Sequence, residues 1–170
     1  MKKILMISVI LLAICLTVSA VSADDGWSFS FSSSESSNSD GGVMSFENGK
    51  LVLQDVEFTI PDGYKENESA QKLAADAEDV DDAKYSVCQF LKDGKELIVK
   101  VFFFDENTNL EFNNLEPSDS EVEKTIAGID GVYDANKYGD NTPTFRFLED
   151  GKLVEVNAPD DDTIDSILKK

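Results

Sequence analysis

Phe90-Leu91-Lys92-Asp93-Gly94-Lys95 and Phe147-Leu148-Glu149-Asp150-Gly151-Lys152 carry one pattern twice: an apolar pair, a charged residue, Asp-Gly, then lysine. A tight two-residue hairpin needs positive φ at both central residues. Glycine enters that region freely because it has no Cβ, and aspartate or asparagine tolerates it. Glu47-Asn48-Gly49-Lys50 supplies a third such turn. Strand formers flank each one. Residues 43–46 lead to 51–53, 87–91 lead to 97–104, and 145–148 lead to 153–156. Three hairpins of this kind predict an antiparallel sheet. The match between 90–95 and 147–152 reads as two convergent hairpins rather than a duplicated unit.

The flanking stretches extend the sheet. Val56, Phe58 and Ile60 alternate with Asp55, Glu57 and Thr59, as in a half-buried strand, and Pro61-Asp62-Gly63 stops the run. Phe102-Phe103-Phe104 reads as a central strand buried on both faces. Ala70, Leu73, Ala74, Ala77 and Val80 fall at helical spacing and predict a lightly anchored helix within 66–83. Ser118 with Glu121 three residues on has the form of a capping box, yet Val122, Lys124 and Ile126 alternate as a strand does, and a strand is expected there. Ile164, Ile167 and Leu168, after Asp160-Asp161-Asp162, predict a short C-terminal helix with acids at its start and Lys169-Lys170 at its end. The expected fold class is therefore α+β: an antiparallel sheet built from hairpins, with one or two short helices.

The chain opens as an exported protein does. Met1-Lys2-Lys3 is positive, residues 4–20 are apolar and uncharged, and Val21-Ser22-Ala23 ends on small residues before Asp24. Residues 1–23 are read as a cleavable signal peptide rather than a retained anchor, and Ile14 before Cys15 argues against a lipoprotein cut. Residues 24–42 read as a serine-rich linker carrying an aromatic strand, in which Trp27, Phe29 and Phe31 alternate with serines and either tuck against the domain or stay exposed to bind a partner by strand addition; residues 43–170 form a single domain.

Composition narrows the function. The formal net charge is −19, and residues 1–23 hold two lysines and no acid, so the remainder is more acidic still. Such a surface repels phosphate backbones and anionic lipid, so no nucleic acid is expected as partner and the mature domain is not expected to be membrane-embedded. Only Cys88 lies beyond the leader, which excludes an internal disulfide there, and it reads as a small buried hydrophobe. The chain has no histidine. Ser-His-Asp and Cys-His catalysis and histidine-based zinc sites are excluded with it.

The phrases Phe58-Thr59-Ile60-Pro61-Asp62-Gly63-Tyr64, then residues 125–133, Phe145-Arg146-Phe147 and Gly151-Lys152-Leu153-Val154 come in an order that resembles small exported proteins of methanogenic archaea of unassigned function. It is similar, more weakly, to a bacterial extracytoplasmic domain of unknown function found beside anti-sigma regions. The resemblance covers about residues 43–168. It implies an α+β sheet domain at the cell envelope and supplies no catalytic residues.

Several constellations bear on chemistry. Asp134, Asn136, Tyr138 and Gly139 match the opening of a calcium loop, but Phe145 stands where the bidentate glutamate belongs. Asp79-Asp81-Asp82 and Asp160-Asp161-Asp162 suit cations, and serve equally as the ends of helices. Asn67-Glu68-Ser69 fits a glycosylation acceptor. No phosphate loop, CxxC pair or HExxH motif is present, and no cofactor is expected. The leading expectation is an exported, non-catalytic envelope or secreted protein, not an enzyme, that binds an unknown protein or envelope component, with Trp27, Phe29 and Phe31 as candidate partner-binding residues and with no oligomeric state legible. The alternative is a small-ligand or cation-binding module with Asp134, Asn136 and Tyr138 as candidate ligands. A carboxylate-based hydrolase comes third.

Overall fold

The computed structural model describes residues 44–169 apart from Asp79, Glu106, Asn109 and Asp140. The leader at 1–23, the linker at 24–42 and the aromatics Trp27, Phe29 and Phe31 lie outside the described residues.

The three expected hairpins form. Strand β1 (Met44–Glu47) turns through Asn48 and Gly49, at φ 53° and 77°, into β2 (Lys50–Leu53). Strand β6 (Ala83–Lys92) turns through Asp93 and Gly94, at 52° and 75°, into β7 (Lys95–Phe104). Asp150 and Gly151, at 49° and 72°, connect β10 (Thr144–Glu149) to β11 (Lys152–Asn157). Two further positive-φ pairs do the same work with weaker sequence signals. Gln54-Asp55 joins β2 to β3 (Val56–Thr59), and Ala127-Gly128 joins β8 (Val122–Ile126) to β9 (Ile129–Asp134).

Strands β1-β2-β3 make a small antiparallel sheet. The large sheet runs β4-β6-β7-β11-β10-β9-β8, where β4 is Lys65–Glu66, and β5 (Lys72–Asp76) also pairs with β6. Period-two alternation divides each strand of the large sheet between two faces. One face carries Cys88, Phe90, Leu97, Val99, Val101, Phe145, Phe147, Val154 and Val156, all buried. The small sheet contributes Leu51, Leu53, Val56, Phe58 and Ile60 to the same core, and helix α1 (Asp161–Leu168) contributes Ile164, Ile167 and Leu168. Asp160 caps α1 by accepting from the Thr163 N–H at 2.8 Å. The other face meets residues from two connecting loops, Phe112 and Glu121 from one and Lys137 and Tyr138 from the other. Phe112 N–H donates to the Gly151 carbonyl, and the Phe104 and Phe112 rings stack at 4.7 Å.

Three expectations need correction. The helix within 66–83 does not form. Its place is taken by β4, a single 3-10 turn at Glu68–Ala70, and β5. An alanine stripe gives a helix little apolar area to bury, whereas the same backbone laid along β6 gains a ladder. Leu73 stays 44% exposed, and Ala74 sits at φ 50° in the bulge of the β5–β6 ladder, where its N–H donates to Ser86 Oγ at 3.0 Å. Asp81 and Asp82 therefore belong to the β5–β6 turn, not a helix end. Lastly, Phe102, Phe103 and Phe104 lie on the central strand but are only half-buried, because β11 reaches no further along β7 than Phe102. At 118–126 both signals operate: β8 is a strand, and Glu121 still accepts from the Ser118 N–H at 2.9 Å, closing a turn with no helix behind it.

Candidate functional site

The most concentrated chemistry sits on the loop-covered face. Register places Lys100 opposite Glu155, Glu155 opposite Arg146 and Arg146 opposite Val132, one row across four strands. Arg146 and Glu155 are 6% and 2% exposed, between buried apolar neighbours that point to the core. Arg146 Nη2 donates to both oxygens of the buried Glu121. Glu155 accepts from Lys100 Nζ at 3.2 Å, Lys137 Nζ at 2.9 Å and the Tyr138 hydroxyl at 2.9 Å. Lys137 Nζ is also 4.0 Å from Glu121, so one ammonium joins the two carboxylates into a single network. Burial pushes the Glu155 carboxyl up, but Lys100 and Lys137 outweigh it and hold the pKa at about 2. Burial likewise acts upward on Glu121, and the Ser118 N–H and Arg146 bring it below its ordinary value.

These directions decide what the pair can do. A carboxylate hydrolase needs one carboxyl with a raised pKa to serve as general acid. Both carboxyls are instead shifted toward the ionised form, Glu155 by Lys100 and Lys137 and Glu121 by the Ser118 N–H and then Arg146. Cys88 is fully buried and desolvation raises its thiol to about 11, far from a thiolate nucleophile.

The candidate cation ligands are each engaged in hydrogen bonds within the protein. Asp134 accepts from Ser120 Oγ at 2.7 Å and from the Asn136 N–H at 2.8 Å; Asn136 Oδ1 accepts from the Asn141 N–H at 2.7 Å; and the Tyr138 hydroxyl is turned to Glu155. They shape the β9–β10 loop that carries Lys137 over the sheet. A second acidic place, a recess lined by Asp76, Asp81, Asp82 and Asp105, contains its own cation, with Lys84 Nζ 3.0 Å from Asp105. Asn67 of the glycosylation triplet is half-buried and donates to Gln89 Oε1 at 2.6 Å.

The sheet's two ends differ in what they offer a partner. At one end β5 is bulged between Lys72 and Ala75 and bends its edge. At the other, β8 pairs with β9 in unbroken register from Val122 opposite Tyr133 to Ile126 opposite Ile129. The two-residue turn makes Ile126 and Ile129 a hydrogen-bonded pair, so bonding alternates outward from it. Glu123 and Thr125 then turn their N–H and C=O groups away from β9. Among the described residues these groups meet no other partner. Val122, on the same strand, is 58% exposed, the most exposed large hydrophobic residue among those described.

Sequence reading missed both features. The ionic row was accessible to it: the Asp150-Gly151 turn alone sets the register that puts Arg146 opposite Glu155, each a charge between apolar neighbours. The free edge was not, since strand order is not written in local pattern.

Comparison with protein-family models, with curated proteins and with solved structures finds no match to this chain.

Proposed function

We propose that this is an exported, non-catalytic module that binds a protein or envelope component by accepting an added strand at the β8 edge. The carrying observation is that edge: a regular, unbulged strand whose Glu123 and Thr125 backbone groups face outward beside an exposed Val122. Strand addition uses such groups for affinity and alternate side chains for selectivity. The ionisation of Glu121 and Glu155 supports a non-catalytic reading, because neither carboxyl is poised to donate a proton. The leader-like residues 1–23 and the likeness to exported methanogen proteins support an envelope or secreted location.

Glu123→Pro tests the edge. Proline removes an N–H that the β8–β9 ladder does not use, and edge positions accept it. With the full processed chain immobilised and an envelope extract passed over it, the wild type should retain a partner that the variant loses, while the melting temperature changes by no more than ~2 °C. Val122→Lys, which leaves the backbone untouched, should weaken the same capture. Retention by both folded variants equal to the wild type would overturn edge binding.

A further inference from the structure

We infer that the strand accepted by β8 is a basic one, with lysine or arginine at alternate positions, supplied by another chain and not by a second copy of this one; this rests on the edge-binding reading above. The argument is charge along the edge. On the loop-covered side the exposed Glu123 and Asp130 lie next to the outward backbone groups, with Thr125 Oγ1 donating to Asp130 Oδ1 at 2.6 Å. On the helix side stand Asp161 and Asp162 at the start of α1. The single cation on β8, Lys124, is held 2.7 Å from Asp161 and 3.7 Å over the Tyr133 ring. An incoming strand therefore meets uncompensated negative charge along the row of Glu123 and Thr125, and beside the exposed Val122 it meets an apolar one.

A second copy fits poorly. Only Glu123 and Thr125 offer outward bonds, so a symmetric antiparallel pairing has three registers. One sets Glu123 against its own copy. One sets Lys124 against its own copy. The third, centred on Thr125, runs Glu123 and Val122 past the strand end onto the Ala127-Gly128 turn. Like charges directly opposite are destabilising in the first two, and the third leaves a short overlap. A strand of the form Lys-Val-Lys-Val has none of these conflicts. Its lysines fall opposite Thr125 and Glu123, and its valines opposite Lys124 and Val122.

The test uses the full processed chain and two labelled eight-residue peptides, one alternating Lys and Val, the other alternating Glu and Val, read by fluorescence anisotropy. The Lys–Val peptide should bind at least roughly fivefold tighter. Glu123→Pro should abolish its binding. Glu123→Lys, which keeps the strand, should shrink or reverse the preference. Equal affinities, tighter binding of the Glu–Val peptide, or Lys–Val binding that survives Glu123→Pro would overturn the basic-strand assignment. If the Lys–Val peptide fails to bind while Glu123→Pro still costs the chain its envelope partner, the edge remains the binding surface and only its proposed partner chemistry is wrong.

Discussion

The large sheet buries its two faces by different physics. On the core face, Phe145, Phe147, Val154 and Val156 pack against the small sheet and α1, and removal of apolar area from water holds them there. On the opposite face the residues between them, Arg146 and Glu155, are equally buried but charged, and their burial is tolerable only because each meets a counter-charge and hydrogen bonds. The difference teaches that alternation sorts side chains between faces without making one face apolar and the other wet. It also means that the faces should respond differently to loss. An apolar face tolerates graded truncation. A buried ionic face fails when one member is removed, and recovers when both members are replaced together.

The largest effect should come from Arg146→Met. It leaves the Glu121 carboxylate buried beside a neutral side chain, which costs about 3–5 kcal/mol. The double variant Arg146→Met with Glu121→Leu should regain most of that stability, since it removes the desolvated charge as well as its partner. Urea melts of the single and double variants measure this directly. If the double variant is no more stable than Arg146→Met alone, Arg146 and Glu121 do not act as one unit.

Next comes the acid limb of stability. The Glu155 pKa falls from an ordinary 4.5 to about 2 in the folded state. A depressed carboxyl contributes stability that is fully present above the unfolded pKa and is lost as pH falls through the folded value. The window is thus about pH 5 down to about 2, and Glu121, lowered by Ser118 and Arg146, adds to the same limb. Glu155→Gln should cost up to ~3 kcal/mol at pH 7, with the gap to the wild type closing toward pH 2. Thermal melts across that range check it. A gap that stays constant with pH would mean that Glu155 acts through packing and hydrogen bonds alone, not through its charge.

How much of this was legible follows from the range of each interaction. The three Asx-Gly turns are local, so their hairpins and the core residues of β3, β6, β7 and β11 could be read directly. The Asp160 cap and the apolar triplet of α1 are local as well. The 66–83 segment misled because five small apolar residues at helical spacing are compatible with a helix but do not require one. The neighbouring edge of β6, which captures that segment as a strand, lies outside any local window. The ionic row falls between these cases. Arg146 opposite Glu155 follows from one turn, whereas Glu121 and Lys137 arrive on loops whose path over the sheet is set by long-range packing.

The smallest effect should come from a pair of the same chemistry at the rim. Lys124 Nζ lies 2.7 Å from Asp161, a shorter contact than Lys100 makes with Glu155. Distance alone would rank it the stronger. Environment reverses the order: the Lys124 and Asp161 side chains are 34% and 50% exposed, where water screens the attraction and holding two long side chains in place costs entropy. Lys124 also lies over the Tyr133 ring, and at an exposed site such a contact adds about 0.5–1 kcal/mol. Lys124→Met should therefore cost no more than about 1 kcal/mol, with most of that lost again as sodium chloride is raised, because exposed pairs are screened and buried ones much less so. The Arg146→Met deficit should persist in the same salt. Measuring both variants at low and high ionic strength separates the two kinds of pair. A Lys124→Met cost that matches that of Arg146→Met and does not fall with salt would show that the rim of this sheet is as desolvated as its ionic face.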